Sequence, residues 1–331
     1  MTVCNFSTTS EAPLSTGKDP VSTEANQPEA QELELWDRIR TTEGAERAEV
    51  LGELSHLAFK KNNYTECIQL IDTSIEIYFS LESEFHTKEL IHLYEGKAYC
   101  HSNLDQFAEA AEAHEMAAGY FCIDENREGF IQAKRAAARE WYSAEQWLKS
   151  FEGHTIVSQE LDPEATQYSM GIDTMNIGMA LQKLERHQEA VEKFLKARTH
   201  FKEDKNPEYV NWCDAFLAVS YIQLKNSMEA TFHARNQFNY GKITEDLKME
   251  GYARYRLGGA HWLKKEYAQA EADFVRALEL INLEESKDWK TIIKLNNELA
   301  AALFAQGKDE EAKEILVRIS TIEETMGSLS Q

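Results

Sequence analysis

Proline is scarce in this chain. Five of its 331 residues are proline, and Pro13, Pro20 and Pro28 all fall in the first thirty. Proline breaks helix interiors and sheet ladders, so the rest of the chain is free to form long uninterrupted elements. The five cysteines, Cys4, Cys67, Cys100, Cys122 and Cys213, include no CxxC pair and no even-numbered framework. That argues against a structural zinc site and against a secreted disulfide scaffold. Four of them fall in predicted helices as small apolar residues, and a reducing, cytoplasmic setting is expected. Nowhere do eighteen apolar residues run together, and no basic segment precedes an apolar stretch at the start; neither a transmembrane span nor a signal peptide is predicted. Positive charge is also short, with 35 Lys+Arg against 57 Asp+Glu for a net charge of −22. Such a field repels nucleic acid and anionic lipid, and it favours basic or apolar partners.

Sequence motifs for chemistry are missing too. There is no GxxxxGK[ST], no GxGxxG after a strand, no HExxH, no GxSxG and no EF-hand spacing. The ten histidines are scattered, and the "AHE" at 113–115 has no companion cysteine pair. No catalytic residue, metal or cofactor is predicted, and the chain is read as a non-enzyme.

What the sequence does contain is repetition. The segment "EYAQAEADFVRALEL" at 266–280 has weakened copies centred on Cys67, Ala110, Ala190, Ala230 and Ala312, counted from its own small residue Ala270. The intervals are 43, 80, 40, 40 and 42. The doubled gap places a hidden copy near Ser150, where "EQWLKSFEGHTIV" supplies Trp147 and His154 at the aromatic positions. Seven units of about forty residues result. Each reads as two helices joined by a short polar turn, such as Lys264-Lys265-Glu266 or Gln306-Gly307-Lys308. Ala270 is small where the paired helices approach, and Tyr267, Phe274 and Ala277 share its face. Leu257 and Gly258 play the matching part in the first helix, echoed by Ile177-Gly178, Leu217-Ala218 and Leu299-Ala300. Asp162-Pro163 and Asn206-Pro207 are read as helix starts. Residues 1–30, rich in Ser, Thr, Glu and Pro, are expected to form a disordered tail. Residues 31–44 are expected to form a leading helix whose Leu33, Leu35 and Trp36 cover the first hairpin. Repeats span 45–322, and 323–331 form a polar tail.

This pattern resembles the tetratricopeptide repeat: a large–small pair in helix A, an aromatic after the turn, a small residue three later, then an aromatic and another alanine. The 251–280 unit matches with Leu257-Gly258, Tyr267, Ala270, Phe274 and Ala277, and the 171–200 unit with Ile177-Gly178, Ala190, Phe194 and Ala197 but His187 for the aromatic. The 131–160 unit departs most, with Ser150 and Val157 in place of alanines, and looser packing is expected there. The period resembles long-helix variants found in light-chain-type adaptors and bacterial regulators. The resemblance implies an all-α, right-handed superhelical solenoid of about seven hairpins, with the A helices lining a concave groove.

Carried over by alignment, the groove positions are His56, Phe59, Glu95, Tyr99, Arg135, Arg139 and Tyr142, then Met175, Met179 and Gln182. The later units add Trp212, Ala215, Val219, Ile222, Tyr252, Tyr255, Trp262, Lys294, Asn297 and Phe304. From Met175 onward the set is largely apolar and aromatic, which suits a peptide or amphipathic helix; the same stripe is equally what packing on the next hairpin requires. Trp262 and Tyr255 are expected to be exposed, since Leu257, Gly258 and Tyr267 already account for the packing face. Arg135 and Arg139, one helical turn apart, suit a carboxylate, unless neighbouring acids neutralise them. The family's carboxylate clamp for chaperone tails is not reproduced. Two functions follow from the resemblance: an adaptor that binds a protein segment, or an intracellular peptide-sensing regulator that lacks a DNA-binding region.

Overall fold

A computed structural model describes residues 27–81, 86–160, 165–281 and 288–329. Among the described residues every regular element is an α-helix, and none is long and apolar enough to cross a membrane. The chain divides into two compact units, 1–153 and 154–331, with the division inside one helix. Unit 1 holds α1 (Gln27–Thr41), α2 (Gly44–Lys60), α3 (Tyr64–Ser80), α4 (Thr87–Asn103), α5 (Phe107–Ile123), α6 (Arg127–Ser143) and the start of α7 (Trp147–Glu160). Unit 2 holds the rest of α7, then α8 (Gln167–Lys183), α9 (His187–Glu203), α10 (Pro207–Gln223), α11 (Ser227–Ile243), α12 (Leu247–Leu263), α13 (Tyr267–Ile281), α14 (Trp289–Phe304) and α15 (Asp309–Leu329).

The forty-residue period resolves into a twenty-residue one. From Thr87 to Tyr267 ten successive helices open at twenty-residue steps, most of them seventeen residues followed by a three-residue turn. One turn geometry serves ten of the connections. Asn62, Asp105, Glu125, Glu145, Glu185, Lys205, Lys225, Glu245 and Lys265 all have φ between 54° and 62°, and Gly307 closes the series at 75°. The next residue bonds back across the turn, as where Asn206 N–H donates to the Phe201 carbonyl at 2.9 Å, a Schellman closure. The Asn206 side chain then accepts from Tyr209 N–H and caps the following helix, whose first residue is Pro207. Asn63, Asn126, Asn226 and Asp246 do the same. A residue that ends one helix and begins the next fixes the spacing. The longer intervals of 43 and 42 are absorbed in the α3–α4 and α13–α14 connections.

Small residues sit where the signature asks for them because rings lie against them. A Cβ on Gly178 would stand 2.7 Å from the Phe194 ring, and one on Gly258 would stand 2.4 Å from Phe274. Ala110, Ala190, Ala230, Ala270 and Ala312 are all fully buried. Ser150 and Val157, at the alanine positions of the repeat expected to be looser, are buried as well, and the Ser150 hydroxyl is buried without a hydrogen-bond partner among the described residues.

Other expectations change. On α1, Leu35 and Ile39 are buried but Leu33 is 65% and Trp36 38% exposed, so only one edge of that helix covers the first hairpin. The helix begins at Gln27, and α15 continues to Leu329 without a break at 322. Cys122 is exposed, unlike the buried Cys67, Cys100 and Cys213. Most of the expected tail, Cys4 and the Asp162-Pro163 start lie outside the described residues; α8 is capped instead by Thr166, which accepts from Ser169 N–H at 3.1 Å.

Candidate functional site

In unit 1 the A helices are α2, α4 and α6. His56 and Glu95 are exposed, while Phe59 is half-buried and meets Tyr99 of α4 edge-on at 5.4 Å. Tyr99 is 58% exposed, so the pair forms an open aromatic step between two A helices. On α6, Arg135 is half-buried and Arg139 exposed. Among the described residues no carboxylate lies within ion-pair distance of Arg139. Its charge is nonetheless felt: burial, aided by Arg139, holds His114 down at about 4, and burial raises Glu140 against the offsetting Ser102 hydroxyl and Arg139. Tyr142 packs edge-on against Trp147 at 5.1 Å, and burial pushes its phenol up to about 12.

In unit 2 the A helices α8, α10, α12 and α14 contact one another in that order, and many of the expected groove residues fasten them together. The Gln182 amide donates to the Phe216 carbonyl at 3.1 Å and to Ser220 Oγ at 2.8 Å, joining α8 to α10. The Asn211 amide reaches Met249 Sδ at 3.0 Å, and Ile222 packs within 3.1 Å of where a Cβ on Gly259 would stand, joining α10 to α12. The Tyr255 hydroxyl donates to Glu298 at 2.9 Å and Tyr252 to Asp288 at 3.3 Å, joining α12 to α14 and its cap. Burial raises both Tyr255 and Glu298. Arg256 donates to Gln237 and to the Tyr252 carbonyl, and burial brings it down to about 10.

Exposure along this row is graded. Met175 and Ala215 are buried, at 8% and 1%. Met179, Trp212, Val219, Ile222, Tyr252 and Tyr255 are half-buried. Trp262 is 36% and Phe304 42% exposed, and Lys294 and Asn297 are exposed. Of the two residues expected to be exposed, Trp262 is exposed and Tyr255 is half-buried, its hydroxyl drawn onto Glu298. Trp262 rests on Tyr267 at 5.0 Å, and Lys294 lies 5.9 Å over the Tyr255 ring. The stripe is therefore partly interhelix packing and partly open surface.

Unit 2 also contains histidine–carboxylate pairs of the kind used in catalysis. Asp214 accepts from His233 Nδ1 at 2.5 Å and from both forks of Arg198 at 3.0 and 3.1 Å. Asp273 likewise meets His261 Nδ1 at 2.9 Å and Arg254 at 2.8 Å. His233 is 3% exposed, which leaves no approach for a substrate; the pair ties α10 to α11.

A second surface escapes the repeat signature. On α11, Met228 is 71% and Phe232 56% exposed, and with Arg235, Asn239 and Lys264 they line an open depression of about 400 Å³. The sequence carried a signal for it, since Met228 and Phe232 are one turn apart and off the buried stripe of Ala230, Ala234 and Gln237.

Residues 252–282 match the Tetratricopeptide repeat family. No curated protein matches the chain in sequence. Solved structures are similar in fold. The apo form of the quorum sensor NprR from B. thuringiensis gives a TM-score of 0.57 at 16% identity, over 90% of this chain and 83% of that one. A Rap protein complexed with Competence and Sporulation Factor gives 0.52 at 14%, over 91% and 81%. A STAND protein with a tetratricopeptide repeat sensor from Pyrococcus horikoshii gives 0.61 at 13%; the match covers 91% of this chain and 44% of that protein. Residues 252–282 thus carry a tetratricopeptide repeat, and the fold of the chain is that of tetratricopeptide-type helical-repeat structures.

Proposed function

We propose that the chain is a non-enzymatic interaction adaptor whose unit 2 takes a peptide or helical segment of a partner along the A-helix row. The observation that carries this reading is the row itself. Trp212, Tyr255 and Trp262 offer partly open aromatic faces on helices already locked by Gln182, Asn211 and Tyr255 hydrogen bonds. Aromatic groups supply large contact area for few frozen rotamers, and a preorganised surface loses little entropy on binding. Met179, Tyr252 and Asn297 belong to the same A-helix row, and Met175 is buried within it. The net charge of −22 favours an apolar, aromatic or basic segment over nucleic acid or an anionic membrane. Arg135 and Arg139 are a separate candidate contact, for a carboxylate. A reducing cytoplasm suits the free thiols.

The test is a random-peptide display selection on the immobilised chain, with affinities then measured on variants. Trp262→Ala and Asn297→Ala should weaken the selected peptides, the tryptophan by about tenfold or more. Peptides indifferent to both changes but lost on Phe232→Asp would move the site to α11 and sink the proposed row.

A second reading, peptide sensing, is favoured by the NprR and Rap similarities. It requires that a peptide bind one conformation better than another. Small-angle scattering of the chain with a selected peptide should then show compaction; an unchanged radius leaves the adaptor reading alone.

A further inference from the structure

Unit 1 contains a pair of thiols that neither the repeat packing nor the proposed binding row uses. Cys67 on α3 and Cys100 on α4 bring their sulfurs to 3.1 Å, and both are sealed, at 2% and 0% exposure. The packing asks only for small residues at these places. The position of Cys67 is held elsewhere by Ala110, Ala190, Ala230 and Ala270. Cys100 stands two residues beyond Ala98, as Ala180, Ala260 and Ala302 stand two beyond Gly178, Gly258 and Ala300; all those alanines are fully or almost fully buried. Cysteine replaces alanine on both sides of a single contact.

We propose that Cys67 and Cys100 form a reversible disulfide, with hydrogen peroxide as oxidant and a small dithiol as reductant, tying the first hairpin to the second. The sulfurs need to approach by about 1 Å to reach bonding distance, a step that side-chain rotation covers. The pair is already polarised. Cys100 donates its S–H to Cys67, and that bond, with one from Ser55, holds the Cys67 thiol below its ordinary value against the opposing effect of burial; the same contact raises Cys100. Cys67 therefore reacts first. Its thiolate attacks one peroxide oxygen, the O–O bond breaks, and the departing hydroxide takes a proton to become water, leaving Cys67 as sulfenic acid. The Cys100 sulfur then attacks the Cys67 sulfur, the S–O bond breaks, and the leaving hydroxide carries off the Cys100 proton as a second water. Two thiols are oxidised to one disulfide while one peroxide is reduced to two waters. Burial selects the oxidant. A peroxide little larger than water reaches sealed sulfurs through local opening, where a bulky disulfide such as oxidised glutathione cannot.

The bond would hold α3 on α4 covalently at a junction otherwise held by packing and the Lys97–Asp72 ion pair. It would also restrict the unfolded chain.

The test uses the full chain treated with hydrogen peroxide, alkylated and mapped by mass spectrometry without reduction. The expected result is a Cys67–Cys100 cross-linked peptide lacking two hydrogens and restored by dithiothreitol. Tm should rise by about 5 °C, and amide exchange should slow in α3 and α4. The triple variant Cys4→Ser, Cys122→Ser, Cys213→Ser should behave identically, and Cys67→Ser or Cys100→Ser should abolish the rise. Should either single variant fail to fold, the wild-type map alone decides. Cys67 recovered as sulfinic acid, paired with Cys122, or still alkylatable after treatment overturns the proposal.

Discussion

The two units are built from one hairpin but sealed differently. Among the described residues, the buried polar side chains of unit 1 are Ser55, Ser74 and Ser150, and Ser74 is satisfied by donating to the Ala48 carbonyl at 2.8 Å. The remainder of its core is apolar, with much alanine. Unit 2 instead buries Asp173, Asp214, Glu250 and Asp273 together with His154 and His233. An ionised carboxylate buried alone costs several kcal/mol, so each one requires a partner from a particular neighbour. Asp214 of α10 takes Arg198 of α9 and His233 of α11, Glu250 of α12 takes Lys242 of α11, and Asp273 of α13 takes Arg254 and His261 of α12. In unit 1 a helix with a small-residue stripe meets the packing requirement. In unit 2 the neighbour must also carry the right charge at the right turn.

The largest effect that tests this contrast comes from Asp214. Asp214→Ala strands Arg198 and His233 in the interior and should destabilise unit 2 by about 3–5 kcal/mol in denaturant unfolding. The double change Asp214→Leu with Arg198→Met removes the pair together and should cost far less. Equal losses from the two would mean that the carboxylate contributes more than the pairing argument allows. Ser74→Ala in unit 1 should cost about 1 kcal/mol.

Acid should reverse the order of vulnerability. In native unit 1, His114 stays neutral down to about 4, whereas in the unfolded chain it titrates at 6.5. Between those values the unfolded state binds more protons, so unit 1 loses stability as pH falls from 6.5 toward 4, by about 3 kcal/mol in all. Asp214 behaves otherwise. Burial raises it, but the bonds from His233 and Arg198 prevail and hold it below its ordinary value. Its contribution is present above the usual carboxylate range and is lost only as pH falls through that lowered value. Amide exchange at pH 5, corrected for intrinsic rates, should show α5 and α6 loosening before α10 and α11. His114→Leu should remove the difference.

Much of the fold was legible because a period is a property of the sequence. The copy near Ser150 follows from the period alone, and the signature marks Gly178 and Gly258 as small without reference to the rings that lie against them. The twenty-residue step was harder to read, because its marker is a backbone conformation and the residues adopting it, Glu, Lys, Asp and Asn, share no side chain. The site was legible only as a stripe. Alignment chose the A-helix positions, but whether a tyrosine faces solvent or a neighbour depends on a partner 36 or 43 residues away, such as Asp288 for Tyr252 or Glu298 for Tyr255. The α11 depression is built from positions outside the signature, and the Cys67–Cys100 contact is hidden because the signature reads Cys67 only as a small residue while its partner stands 33 residues away.

Smaller effects sharpen the comparison at its small residues. Gly258→Ala in unit 2 would place a methyl 2.4 Å from the Phe274 ring, and should destabilise by about 1–3 kcal/mol through overpacking. Gly119→Ala on α5 of unit 1 meets nothing within 4 Å, and should stabilise by about 0.5–1 kcal/mol through helix propensity. Opposite signs in thermal unfolding would locate the tight helix contact in the glycine–phenylalanine pair.

The smallest effect concerns the turns. Two of unit 1's left-handed residues, Asn62 and Asp105, have short polar side chains that tolerate that region, while its Glu125 and Glu145 are of the same kind as unit 2's Glu185, Lys205, Lys225, Glu245 and Lys265. A lysine or glutamate there is strained by contact between Cβ and the following carbonyl, while glycine is not. Lys225→Gly should therefore stabilise unit 2 by about 0.5 kcal/mol, and Asn62→Gly should leave unit 1 nearly unchanged. Glycine also loses more entropy on folding, so this gain is a difference between two opposing terms. A loss of stability at Lys225→Gly in calorimetry would mean that the Asn226 cap and the Schellman bond already hold the turn without appreciable strain.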